Sequence, residues 1–125
     1  MQTLAQVLAD FGHEMGMSGT LAPGEGGGVQ LRLESGAVLG VARQGEAVVV
    51  HLSEPAPYDA PQRLIRAMKL AGAPGSAALP LQPGLRETPE GRWLVLATRL
   101  PLAECTAPRL LAVWSRLRDA HEGLK

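Results

Sequence analysis

Leu4, Val7, Leu8, Phe11 and Met15 recur at the spacing of one helical face and predict an amphipathic first helix over about residues 4–16. Thr3 with Gln6 supplies a capping-box start, and Gly16 to Gly19 a stop. After the glycine-rich stretch Pro23 to Gly28 the period changes. Val29, Leu31 and Leu33 alternate with Gln30, Arg32 and Glu34, as in a strand with one wet face. Ser35-Gly36 and Gln44-Gly45 read as tight turns, so strands over Val29–Glu34, Val38–Arg43 and Glu46–Leu52 form an antiparallel meander.

In the third strand Val48, Val50 and Leu52 share one face, and Ala47, Val49 and His51 share the other. A strand apolar on both faces is normally covered on both, and the chain's own helices are expected to cover one. Asp59 and Gln62, with Pro61 in the first turn, mark a second helix that ends at Gly72. Its face carries Pro61, Leu64, Ile65 and Met68, while Arg63, Arg66 and Lys69 lie elsewhere. The apolar segment from Ala77 to Leu85 is interrupted by Pro80 and Pro83, which predicts an edge or irregular strand.

Thr88 to Gly91 then turns the chain into a strand over Arg92–Leu100, with Trp93, Val95 and Ala97 on one face and Leu94, Leu96 and Thr98 on the other. Thr106 caps a last helix with a stripe of Leu110, Trp114, Leu117 and His121, widened by Leu111. The expected fold class is α+β in the order α-β-β-β-α-β-β-α: an antiparallel twisted sheet with helices packed on it. It forms one domain over residues 1–125, without repeat or linker.

Composition narrows the function more than the fold. Of 125 residues, 46% are hydrophobic and 19% charged, a globular chain able to bury roughly two-thirds of its unfolded surface. Twelve basic and twelve acidic residues are intermixed, so no long-range field favours nucleic acid or an anionic membrane as partner. Met1 to Gly12 lacks the basic start and apolar run of a secretory signal, and nowhere do about 18 apolar residues run together. A cytoplasmic chain is expected. Cys105 is the single cysteine, which excludes an internal disulfide and reads as a small apolar residue near a helix start.

Candidate chemistry is sparse. His13, His51 and His121 fall on three separate elements with no HxxxH or HExxH pairing, so no metal is expected. No G-x-S-x-G elbow occurs, and nothing indicates a lowered thiol pKa at Cys105. Gly24-Glu25-Gly26-Gly27-Gly28 lacks the following Lys-Ser/Thr of a phosphate loop, and Glu25 would repel phosphate. Arg109, Arg116 and Arg118 are interleaved with Asp119 and Glu122, as on a solvated helix face. No catalytic residue, metal or cofactor is therefore expected, and the chain reads as a protein that holds another polypeptide.

These residues, taken in order, resemble the type III secretion chaperones of the class that binds one or a few secreted proteins. The resemblance covers essentially the whole chain. It lies in Leu8-Ala9-Asp10-Phe11-Gly12 through Gly16-Met17, in the Ser35-Gly36 turn, in Leu64 to Ala71, and in Arg99-Leu100-Pro101-Leu102 before the last helix. It implies a dimer through the second helix and fourth strand, with Leu64, Ile65 and Met68 facing the partner and Leu79 and Leu81 beside them. The partner is a second copy or a related chaperone, since such chaperones are often acidic whereas this chain has a pI near 6.8.

The resemblance further implies that a non-globular segment of a secreted effector or regulator wraps around the dimer without ATP or metal. Its apolar side chains would meet Val7, Phe11, Met15, Leu31, Leu33 and Val41. Strand addition along the half-polar first strand would supply main-chain hydrogen bonds. A small α+β enzyme or ligand-binding domain, and a structural subunit of a secretion assembly, are the alternatives.

Overall fold

In a computed structural model of the chain, residues 3–15, 28–33, 35–73 and 80–125 are described. The first helix, α1 (Leu4–Glu14), opens on a reciprocal capping box: the Gln6 amide donates to Thr3 Oγ1 at 3.2 Å and the Thr3 amide to Gln6 Oε1 at 2.8 Å. Met15 is its C-cap; the expected stop at Gly16–Gly19, the Gly24–Gly27 run, Met17 and Leu79 lie outside the described residues. Three strands follow, β1 (Gly28–Arg32), β2 (Val38–Gln44) and β3 (Ala47–Pro55), joined as an antiparallel meander. Gly36 and Gly45 take φ of 91° and 61° in its two turns, a region a side chain disfavours.

The strand β3 runs three residues past the expected end because Ser53, Glu54 and Pro55 stay in register with Val95, Leu94 and Trp93 of β5 (Gly91–Pro101). Helix α2 (Ala60–Ala71) has Pro at its start as expected, but Asp59 does not cap it. The carboxylate instead takes Arg63 Nε at 3.0 Å, one turn on. Gly72 is the C-cap in a right-handed conformation, φ −89°, so it makes no left-handed cap.

The next strand, β4, spans Gln82–Thr88, later than the expected 77–85. Hydropathy misplaced it because β4 is an edge strand, where Arg86 and Glu87 can point to water while the ladder with β5 continues to the turn. Helix α3 (Ala107–Gly123) is capped by Thr106 Oγ1, which accepts from the Arg109 amide at 3.2 Å. Its buried stripe is Leu110, Val113, Leu117 and His121, rotated from the expected one; Leu111 and Trp114 are half-buried flanks.

The five strands lie in the order β1-β2-β3-β5-β4, every neighbour antiparallel. One sheet face builds the core from Val29, Leu39, Val41, Val48, Val50, Leu52, Leu94, Leu96 and Leu100. Val7, Leu8 and Phe11 of α1, Ala60 and Ala67 of α2, and Leu110, Val113 and Leu117 of α3 belong to the same cluster, so all three helices serve that face. The Thr98 hydroxyl, also on it, is buried with no hydrogen-bond partner among the described residues. A buried unpaired hydroxyl costs about 1–3 kcal/mol, so Thr98→Val, which keeps the shape, is expected to raise the urea midpoint by an amount corresponding to about 1 kcal/mol.

Candidate functional site

Three surfaces remain that the chain does not cover with its own described elements. The first is the outer side of α2. Pro61, Ile65 and Met68 follow one another at spacings of four and three and share a stripe, while Ala60 and Ala67 turn into the core. Ile65 is 54% and Met68 58% exposed, and Leu85 of β4, the strand α2 packs against, is 39% exposed. Large apolar side chains grouped this way on a small domain mark an interaction surface. Leu64 and Leu81 are half-buried and rest against the core, so they stand at the inner margin of the stripe. Leu85 stood at the end of the expected strand and was not singled out from the sequence.

The second surface is the rim around α1 and β1. Of the residues expected to meet the client, Val7, Phe11 and Val41 are 2%, 1% and 4% exposed and belong to the core. Periodicity marks a face to be buried without saying what buries it, and for these three it is the chain itself. Leu31, Leu33 and Met15 are only half-buried, with Leu4 beside them at the margin of the same cluster. The strand β1 is the sheet's edge and pairs, among the described residues, with β2 alone. The Leu33 amide donates inward to Ala37 O at 2.8 Å. Alternation along the strand then turns the N–H and C=O of Gln30 and Arg32 outward, a free ladder edge.

The third surface is the sheet face away from the helices. Register sets Gln30, Gly40, His51, Ala97 and Gln82 in one row across it and Arg32, Val38, Ser53, Val95 and Gly84 in the next. The residues are mostly small, and no described element packs over them. Gly40 is required by the His51 ring lying on it, which a Cβ would strike. Burial, and then the nearby Arg86 guanidinium, lower the His51 pKa. At one end lies a recess of about 260 Å³ whose lining includes Arg32, Arg86, Ser53 and Trp93.

Other candidate groups do not converge. Cys105 is buried and its thiol pKa is raised by that burial, the opposite of an activated nucleophile. His121, placed from sequence on the apolar stripe of the last helix, is in the core at 2% exposure, with Nε2 2.7 Å from Leu52 O. A carbonyl only accepts, so Nε2 carries the proton in neutral His121, and Nδ1 faces Glu54 Oε2 at 3.7 Å. Among the described residues no three His, Cys, Asp or Glu group as metal ligands do, and no helix is long and apolar enough to cross a membrane.

No protein-family model and no curated protein matches the sequence. Solved structures do match. The type III secretion chaperone SycH of Yersinia pestis, in complex with a stable fragment of YscM2, is 18% identical with a TM-score of 0.67, over 98% of this chain and 100% of that one. The heterodimeric ExoU–SpcU complex from the type III secretion system of Pseudomonas aeruginosa matches at 21% identity and TM-score 0.61, over 98% and 94%. The ExsC–ExsE complex reaches TM-score 0.70 at 16% identity, over 94% and 90%. The chain has the fold of the type III secretion chaperones.

Proposed function

We propose that this chain is a type III secretion chaperone. In this reading it forms a dimer in the bacterial cytoplasm, binds a non-globular segment of a secreted effector or regulator, and keeps that protein soluble and fit for export. The observation that carries the reading is agreement in fold over nearly the whole chain with chaperones solved in complex with other polypeptides. The uncovered surfaces support it independently, since each offers what an extended foreign chain needs: apolar side chains, a free ladder edge, or both.

The α2 stripe with Leu85 is the dimer surface, carrying Ile65, Met68 and Leu64, with Leu79 and Leu81 from the segment leading into β4. A second copy suits it, because a net charge of zero sets no repulsion between identical chains. Met15, Leu31 and Leu33, together with the outer edge of β1, take the client; Val7, Phe11 and Val41 support that margin from beneath. Ordering a flexible segment costs free energy that scattered contacts cannot offset, so main-chain pairing along β1 and apolar insertion act together.

The test is co-expression with a type III secreted protein from the same bacterium. The expected result is a soluble complex of two chaperone chains with one client. Gln30→Pro should weaken it about tenfold or more while leaving the circular dichroism unchanged, because the Gln30 amide points away from β2 and proline is tolerated on an edge. A client equally soluble without the chain, with no co-elution, contradicts the function. Unchanged affinity in Gln30→Pro contradicts the β1 edge assignment.

A further inference from the structure

The recess on the bare sheet face has a charge pattern that the apolar surfaces lack. Arg32 comes from one edge strand and Arg86 from the other, and both line the recess together with Val38, Ser53 and Trp93. Among the described residues neither guanidinium makes an ion pair. Among the described residues the acid of the recess is Glu90, so two arginines against one carboxylate leave one positive charge over. Burial and Arg86 hold His51, in the adjacent row, below its ordinary pKa, so it adds no charge at neutral pH. The indole is held in place: Trp93 Nε1 donates to Thr88 Oγ1 at 3.1 Å, and that hydroxyl donates to Gly91 O at 3.2 Å.

We propose that this recess reads a carboxylate, and that an acidic amphipathic polypeptide segment lies on the bare face with an Asp or Glu between Arg32 and Arg86 and an apolar side chain against Trp93. The inference rests on the polypeptide-binding reading above and adds the chemistry of what is bound. A single carboxylate balances the spare charge, and its planar oxygens suit a guanidinium fork. Glu90 weighs against a more highly charged phosphate. The floor of Val38, Val95 and Ala97 gives the rest of the segment an apolar bed, half-buried now and driest when covered. Exclusion of water by that bed strengthens the charge pairing.

Trp114→Phe makes Trp93 the only indole, since the chain has two. The change forfeits no hydrogen bond, because Trp114 Nε1 has no partner among the described residues. In this background two short peptides are titrated, identical in their leucines at helical spacing and differing in having glutamate or glutamine between them. The glutamate peptide is expected to shift Trp93 emission and to bind about tenfold more tightly. That preference should shrink with added salt and vanish in Arg32→Gln/Arg86→Gln.

Equal affinity for the two peptides, a preference that survives the double substitution, or no binding of either overturns the proposal. Should a secreted client still be captured with Trp93 emission unmoved, the carboxylate site is wrong and the chaperone reading stands. If the glutamate preference is found but no secreted client is captured, the site is right and the chaperone reading fails.

Discussion

The Ile65→Asp chain should elute, in size-exclusion with light scattering at micromolar concentration, at the 13.2 kDa mass of one chain, where the unaltered protein, as the proposed dimer, should elute at twice that. Met68→Asp should do the same. At 54% and 58% exposure both side chains stand in water in the single chain, so a carboxylate there costs little beyond helix propensity, and the thermal midpoint should hold. In the dimer the same carboxylate is buried without a partner, at about 3 kcal/mol or more. A twofold interface repeats each substitution, and two such charges amount to about 6 kcal/mol, roughly four orders of magnitude in Kd. A micromolar dimer does not survive that loss. Unchanged mass in both variants contradicts the interface.

Acid should destabilise the chain through His121. Burial lowers its pKa from the ordinary 6.5; the Leu52 carbonyl and Glu54 work the other way, and Lys125 and Arg63 add to the lowering. Glu122, which takes Lys125 Nζ at 2.8 Å, and Arg66, which donates to Leu124 O at 3.0 Å, complete the charged surroundings of this helix end. With the folded pKa below the unfolded one, the unfolded chain binds the extra proton first as pH falls. Stability is therefore full above about pH 6.5 and declines toward the folded pKa, at up to about 1.4 kcal/mol per pH unit. Urea midpoints at neutral pH and at about pH 5 measure it. His121→Gln, which keeps an N–H for Leu52 O without titrating, should lose most of the slope, the remainder coming from His51, whose pKa is lowered in the same direction. An unaltered slope in that variant contradicts the assignment.

Much of the fold was legible because local chemistry and tertiary placement agree. Thr3 with Gln6, Thr106, and the turns at Gly36 and Gly45 each act through a few neighbouring atoms, and each appears where the residue pattern placed it. The order β3-β5-β4 was not legible, since which strand β5 joins is decided by contacts far apart in the chain. The register of β4 was missed for a related reason, as an edge strand carries charge without penalty.

The candidate site was legible in part. Ile65 and Met68 were legible as part of the apolar face of the second helix, but that they stand exposed while Ala60 and Ala67 enter the core is decided by packing. Val7, Phe11 and Val41 share their residue types with any binding surface, and only packing separates core from rim. Arg86 and Trp93 face each other across one hairpin, but Arg32 is distant in sequence, and the strand order and register bring it to the same end of the bare face.

Amide hydrogen exchange on the complex with a secreted client, compared with each component alone, tests most directly whether sheet surface uncovered by the chain's own helices grips a foreign segment. Protection should increase in β1 and across the bare face, stay constant in α3, and appear in the client as one linear stretch without a cooperatively folded core. A client that keeps the exchange pattern of a folded domain, bound with no change in β1 or the bare face, would contradict the account.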